Sequence, residues 1–135
     1  MSVVTRKIAL VAHDGRKHEM LLLLETPAVE LWGEAIVATE TTGRLIAERF
    51  GLDVELVRSG PMGGDLQIGA RVAAGEIKLV VFLRDPLAAH PHEPDIQALM
   101  KVCDVHRVPL ATNIATAQLC FRALTAHTGQ AAMTV

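Results

Sequence analysis

The chain has 135 residues, enough for one domain that buries roughly two thirds of its unfolded surface without disulfide or metal staples. Half of the residues are hydrophobic and only 3% are aromatic, so the core is expected to be aliphatic, with no platforms for stacking bases or sugars. Thirteen basic against fifteen acidic residues leave a net charge of -2, which argues against nucleic acid or another polyanion as partner.

Cys103 and Cys120 lack CxxC spacing and read as reduced core residues of a cytosolic protein. The longest apolar run, Met20 to Leu24, is far below a membrane span, and Met1 to Lys7 is too short and polar for a signal peptide. A cytoplasmic protein with no membrane partner is the expectation.

Ile8 to Ala12 is an apolar run of strand length, the pattern of a strand buried on both faces. Asp14 is expected to cap a helix from about Arg16 to Glu25, and a short helical stretch is expected around Trp32. A second strand follows at about Glu34 to Ala38. Thr39, Glu40, Thr41 and Thr42 read as a polar turn into a helix from Gly43 to Phe50, closed by Gly51. The third strand, Asp53 to Val57, leads into Ser59 to Asp65, SGPMGGD, where three glycines and a proline shape backbone around something rather than fill a core, a place suited to an anionic ligand and a proton-transferring group.

The next helix, Leu66 to Ala74, carries Leu66, Gly69, Val72 and Ala73 on one face. Lys78 to Leu83 is the most hydrophobic strand, and the loop from Arg84 to Pro94 is longer than a connection needs. Asp95 is read as the cap of a helix with Ile96, Leu99, Met100 and Cys103 at helical spacing. Val108 to Thr112 is the fifth strand. A last helix starts near Thr116, and residues from about 126 onward read as a loose tail of the single domain 1–135.

Strands alternating with helices at this spacing predict an α/β fold, a doubly wound and mostly parallel five-stranded sheet with helices on both faces. Ligands of such sheets bind beyond the carboxyl ends of the strands. The polar clusters all follow strands, namely His13 and Asp14, Thr39 to Thr42, Ser59 to Asp65, Asp85 to Asp95, and Thr112 with Asn113. They are expected to converge on one rim.

Each cluster has two readings. The three threonines offer hydroxyls at a helix start that could hold phosphate, or they are ordinary caps. Arg16, Lys17 and His18 lie where a helix dipole disfavours cations, so they face a bound anion or are a solvated basic turn. Asp65 either caps its helix or, with Gly63 and Gly64 admitting a ligand beside it, acts as a base among Asp14, Asp85 and Asp95. His90 and His92 lack the spacing of a zinc site, and a histidine bracketed by Pro91 and Pro94 is better suited to donate a hydrogen bond or a proton. No metal is assigned. His106 and His127 have no special role.

Taken together, IALVAHD (Ile8 to Asp14), TETTG (Thr39 to Gly43), SGPMGGD, Asp85-Pro86, PHEPD (Pro91 to Asp95) and PLATN (Pro109 to Asn113) resemble the methylglyoxal synthase family in register over about residues 7 to 120. The resemblance implies conversion of dihydroxyacetone phosphate to methylglyoxal and inorganic phosphate, on a doubly wound fold that usually forms a homohexamer. By motif, Asp65 would remove a proton from C3 and His92 would hydrogen-bond the C2 oxygen. Lys17, Thr39, Thr41, Thr42, Ser59 and Gly60 would hold the phosphate, with His13, Asp14, Asp85 and Asp95 around the reacting end. No metal or organic cofactor is implied, since a base and oxyanion donors suffice for such a carbon acid. Phosphate would be the product and a candidate inhibitor.

Two positions depart from the family pattern. Glu40 stands where the family has glycine, and its side chain is expected to point to solvent. The last arginine is Arg122, whereas some members carry one near the C-terminus that reaches a neighbouring subunit's site. The alternative reading is a non-catalytic anion-binding regulatory module of the same fold, and a metal-dependent hydrolase would rest on His90 and His92 alone.

Overall fold

Residues alternate sides along a strand, so a strand that is apolar at every position must lie between two layers. The first strand does so. In a computed structural model, which describes residues 5–25, 31, 33–88 and 93–134 (the last ten by backbone alone), β1 spans Lys7–Ala12 at the centre of the sheet. Ile8, Leu10 and Ala12 enter one core cluster, while Ala9 and Val11 enter another.

The remaining elements are β2 (Ile36–Thr39), β3 (Val54–Val57), β4 (Ile77–Leu83) and β5 (Leu110–Ala111), with helices α1 (Lys17–Glu25), α2 (Glu40–Phe50), α3 (Gly64–Ala73), α4 (Glu93–Val105) and α5 (Ile114–Thr134). The strand order is β3-β2-β1-β4-β5 and every neighbouring pair is parallel. Met20 and Leu24 of α1, Ile46 of α2, and Ala117 and Phe121 of α5 cover one face. Ile68 and Val72 of α3, with Ile96, Leu99 and Cys103 of α4, cover the other. Each fully buried Ile or Leu in these layers contributes about 1.5–3 kcal/mol, so the three-layer sandwich is the main source of stability. The strand order reverses between β1 and β4, and the crevice at such a reversal is where doubly wound sheets bind ligands.

Several boundaries differ from the sequence expectation. Asp14 does not cap α1. It lies inside a 3-10 turn, Asp14–Arg16, whose preceding residue His13 is extended. The threonine turn is helical from Glu40, because first-turn N–H groups need no intrahelical partner and poor helix formers are tolerated there. In α3 the buried stripe is Asp65, Ile68, Gly69 and Val72, so Leu66 is 48% exposed and Ala73 is exposed too. Helix α4 begins at Glu93, with Pro94 in the first turn and Asp95 after it, so Asp95 is not its cap. Asn113 caps α5, its side-chain oxygen accepting from the Thr116 N–H at 3.0 Å.

Helix α5 also continues to Thr134, where a loose tail was expected. Loss of apolar periodicity does not end a helix when Ala126, Ala131, Ala132 and Met133 keep helix propensity high. The helical stretch expected around Trp32 falls outside the described residues. No helix among the described residues is long and apolar enough to cross a membrane. Burial raises both thiols, that of Cys103 to about 11, as suits inert core cysteines.

At the sheet edge, Glu55 accepts from Arg71 and from Lys7, and these bonds hold its carboxyl down at about 2. Its folded value lies below the unfolded one, so the cluster contributes stability above the ordinary carboxylate range and loses it as pH falls. The side chain is 42% exposed, which keeps the contribution small. In urea titrations, the difference between the parent and Glu55→Gln should shrink steadily between about pH 5 and about pH 2.

Candidate active site

The ends of β1, β2 and β3 and the loop after β4 surround a cavity of about 490 Å3. That is within the ordinary range for a small-ligand site. Its lining includes His13, Asp14 and Lys17 from β1 and the turn after it, Thr39 and Thr41 from the β2–α2 junction, Ser59, Gly60 and Asp65 from the loop into α3, and Asp85 after β4. Four of the five polar clusters picked from the sequence therefore contribute to one wall.

The SGPMGGD loop is built by two backbone constraints. Gly63 has φ 97°, a left-handed conformation that side chains disfavour. Gly64 is packed so tightly that a Cβ there would lie 1.8 Å from the Arg58 carbonyl oxygen. The Ser59 carbonyl accepts from the N–H groups of both Met62 and Gly64, at 3.0 and 2.9 Å. The Arg58 N–H donates to the Gln67 side chain at 2.8 Å, latching the helix to the strand. Asp65 follows at the second position of α3 and is 0% exposed. Gly63 occupies the cap position, so capping does not account for Asp65. Its carboxylate sits in the first turn of a helix, where the backbone N–H ends favour negative charge.

Thr39 precedes α2 in extended conformation, and its side chain makes no capping hydrogen bond. Thr39, nearly buried, lines the cavity together with Thr41. Among the three cations in sequence, only Lys17 lines the cavity. Lys17 Nζ donates to the Ala12 carbonyl at 3.1 Å and to Asp14 Oδ1 at 2.6 Å, leaving the third donor of its ammonium for a ligand. Arg16 instead pairs with Glu19, and His18 is exposed.

His13 bridges the reversal point of the sheet. Its N–H donates to the Leu83 carbonyl at 3.1 Å, and its Nδ1 accepts the Asp85 backbone N–H at 2.9 Å. The ring also stacks edge-on against Phe82, with centroids 5.0 Å apart. Asp85 in turn accepts the Leu87 N–H at Oδ1, 3.2 Å away.

Not every expected residue joins the lining. Thr42 is 2% exposed and is not part of the lining, and Asp95 sits part-exposed in the first turn of α4. His90 and His92 fall outside the described residues. Thr112 and Asn113 line a separate cleft of about 370 Å3 with Arg16, Glu19 and Arg84, so the fifth cluster does not share the rim. Gly15 lines the main cavity without having been singled out, and Pro61 and Ala88 line it from within loops that were. Gly15 carried a signal, a side-chain-less residue between Asp14 and Arg16 directly after a central strand. Among the described residues, no three His, Cys, Asp or Glu side chains are gathered as a metal ion requires.

Glu40 is helical, since Arg107 is the one non-glycine residue with positive φ among those described. Its side chain is 49% exposed and pairs with Arg44 at 3.3 Å, in keeping with the expectation that it points to solvent.

A parallel α/β sheet with a polar cavity and a buried carboxylate beyond its strand ends agrees with the comparisons to known proteins. The profile of the MGS-like domain matches residues 28–112. The methylglyoxal synthase of Carboxydothermus hydrogenoformans is 57% identical over 118 residues, covering 87% of this chain and 98% of that protein. That of Moorella thermoacetica is 50% identical over 123 residues, 91% of this chain and 96% of the relative. The crystal structure of methylglyoxal synthase from Elizabethkingia anophelis NUHP1 superposes with a TM-score of 0.80 at 40% identity, over 87% of this chain and 77% of that one. The chain belongs to the methylglyoxal synthase family.

Lys17, which lines the cavity, and Glu40, which does not, should separate in a binding titration with inorganic phosphate. Lys17→Met should weaken binding about tenfold or more, the scale of losing a charged hydrogen bond. Glu40→Gln should change it by less than about threefold, because an exposed i,i+4 pair is worth about 0.3–0.5 kcal/mol.

Proposed function

We propose that this chain converts dihydroxyacetone phosphate to methylglyoxal and inorganic phosphate, as a carbon–oxygen lyase acting on a phosphate ester. The observation that carries this reading is the meeting, in one cavity, of a fully buried carboxylate with a lysine and three hydroxyl residues at strand ends. Lys17, Thr39, Thr41, Ser59 and Gly60 hold the phosphate, whose charge suits the ammonium and the start of α2. Thr42 is assigned to that cradle by resemblance alone. Asp65 takes the proton from C3, and the electron pair of the C–H bond forms the C2–C3 double bond of an ene-diolate.

The negative charge that develops on the C2 oxygen needs donors at a fixed place, because stabilisation counts only where it is stronger in the transition state. His92 is assigned this part by resemblance, and His13, which lines the cavity, is assigned to the reacting end. Asp14 and Asp85 lie around the reacting end, and Asp95 is assigned there by resemblance alone. The C1–O bond then breaks with both electrons leaving on phosphate, and the enol left behind takes a proton to become methylglyoxal. Elimination rather than isomerisation requires that the C1–O bond stand out of the ene-diolate plane, where its antibonding orbital overlaps the π system. A homohexamer in the cytoplasm is the assembly and location that go with this reading.

A non-catalytic anion-binding module would look to Glu40 for support, and the turn of Glu40 toward Arg44 removes it. Pure protein treated with chelator and incubated with dihydroxyacetone phosphate should yield methylglyoxal and inorganic phosphate in equal amounts. Absence of both products rejects the proposal, and glyceraldehyde phosphate in their place assigns an isomerase.

A further inference from the structure

Histidines near carboxylates are usually read as ion pairs, the carboxylate accepting from the ring and making it more basic. The contact between His13 and Asp85 runs the other way. The Asp85 backbone N–H is the donor and His13 Nδ1 the acceptor, at 2.9 Å. A nitrogen that accepts carries no proton, so the ring's hydrogen lies on Nε2. We propose that Asp85 is a positioning residue: its carboxylate folds its own loop so that its backbone N–H holds His13 as the neutral Nε2–H tautomer, a hydrogen-bond donor to the substrate's developing oxyanion.

Three features support this arrangement. The Asp85 carboxylate is engaged by its own loop, Oδ1 accepting from the Leu87 N–H at 3.2 Å. Its Oδ2 lies 2.9 Å from where a Cβ of residue 15 would be, so Gly15 provides the floor on which the carboxylate rests. His13 is fixed from its other sides by its backbone bond to Leu83 and by the edge-on contact with Phe82. The ring can then neither rotate nor exchange tautomers without breaking the Asp85 bond. Among the described residues, the charged groups that line the cavity with it are Asp14 and Lys17 on its own turn, which pair with each other, Asp65 from α3, and Asp85 itself. A neutral imidazole donor suits this chemistry, since it polarises an oxygen without giving up its proton prematurely.

The catalytic part of this inference rests on the proposed reaction, but the tautomer is read without substrate, so the two fail separately. In 15N-labelled full-length protein, the His13 ring is assigned by the signals missing from His13→Gln. Nδ1 should show the shift of an unprotonated nitrogen and Nε2 that of a protonated one. Asp85→Asn keeps the acceptor for Leu87 and should preserve this pattern. Asp85→Ala and Gly15→Ala, checked for folding by their backbone amide spectra, should shift part of the proton to Nδ1, with kcat lowered about tenfold or more and KM changed far less. A parent protein with Nδ1 protonated overturns the proposal without any variant. So does a pattern in which Asn and Ala at residue 85 behave alike, whether both keep the tautomer or both lose it.

Discussion

The start of helix α3 approaches the end of strand β3 so closely that residue 64 has no room for a side chain. A Cβ there would stand 1.8 Å from the Arg58 carbonyl oxygen, an overlap only backbone movement could relieve. This approach turns the chain from strand into helix within a few residues and carries Asp65 into the cavity instead of to the surface. Overpacking of this kind costs about 1–3 kcal/mol when neighbours can yield, and a carbonyl held in a loop yields little. The position of the buried carboxylate is thus set by backbone geometry rather than by charge.

The rest of the site is arranged around that fixed point. Strands β3, β2 and β1 lie side by side and run parallel, so the segments that follow them, with Ser59, Thr39 and His13, leave the same end of the sheet. Strand β4 lies on the other side of β1 and brings Asp85 across the reversal of strand order, where it meets His13. The proposed phosphate cradle on one side and the proposed neutral imidazole on the other would hold a substrate at both ends. What the proposed reaction needs is therefore mostly orientation, which a rigid sheet edge supplies without a metal or an organic cofactor.

Much of this was legible in the residues themselves. The apolar runs Ile8 to Ala12 and Leu79 to Leu83 identified the central strands because short runs apolar at every position suit a strand covered on both faces. Polar clusters directly after strands marked the rim, and the glycines of SGPMGGD marked the tightest turn. What sequence pattern could not give was set by packing. Leu66 had the periodicity of a core residue but lost to the stripe of Ile68 and Val72, which faces the sheet. Thr112 and Asn113 followed a strand like the others, yet β5 is short and lies beyond β4, so its end opens into a different cleft. The direction of the His13 hydrogen bond was invisible, since it depends on a backbone N–H that every residue carries.

The central claim is that Asp65, buried by the turn at Gly64, is the group that takes the substrate's proton. Replacing it by asparagine preserves shape and burial while removing the basic oxygen. The account predicts that Asp65→Asn loses methylglyoxal formation by a factor on the order of 1,000 or more while binding inorganic phosphate within about threefold of the parent. A variant that turns over dihydroxyacetone phosphate at close to the parent rate contradicts it.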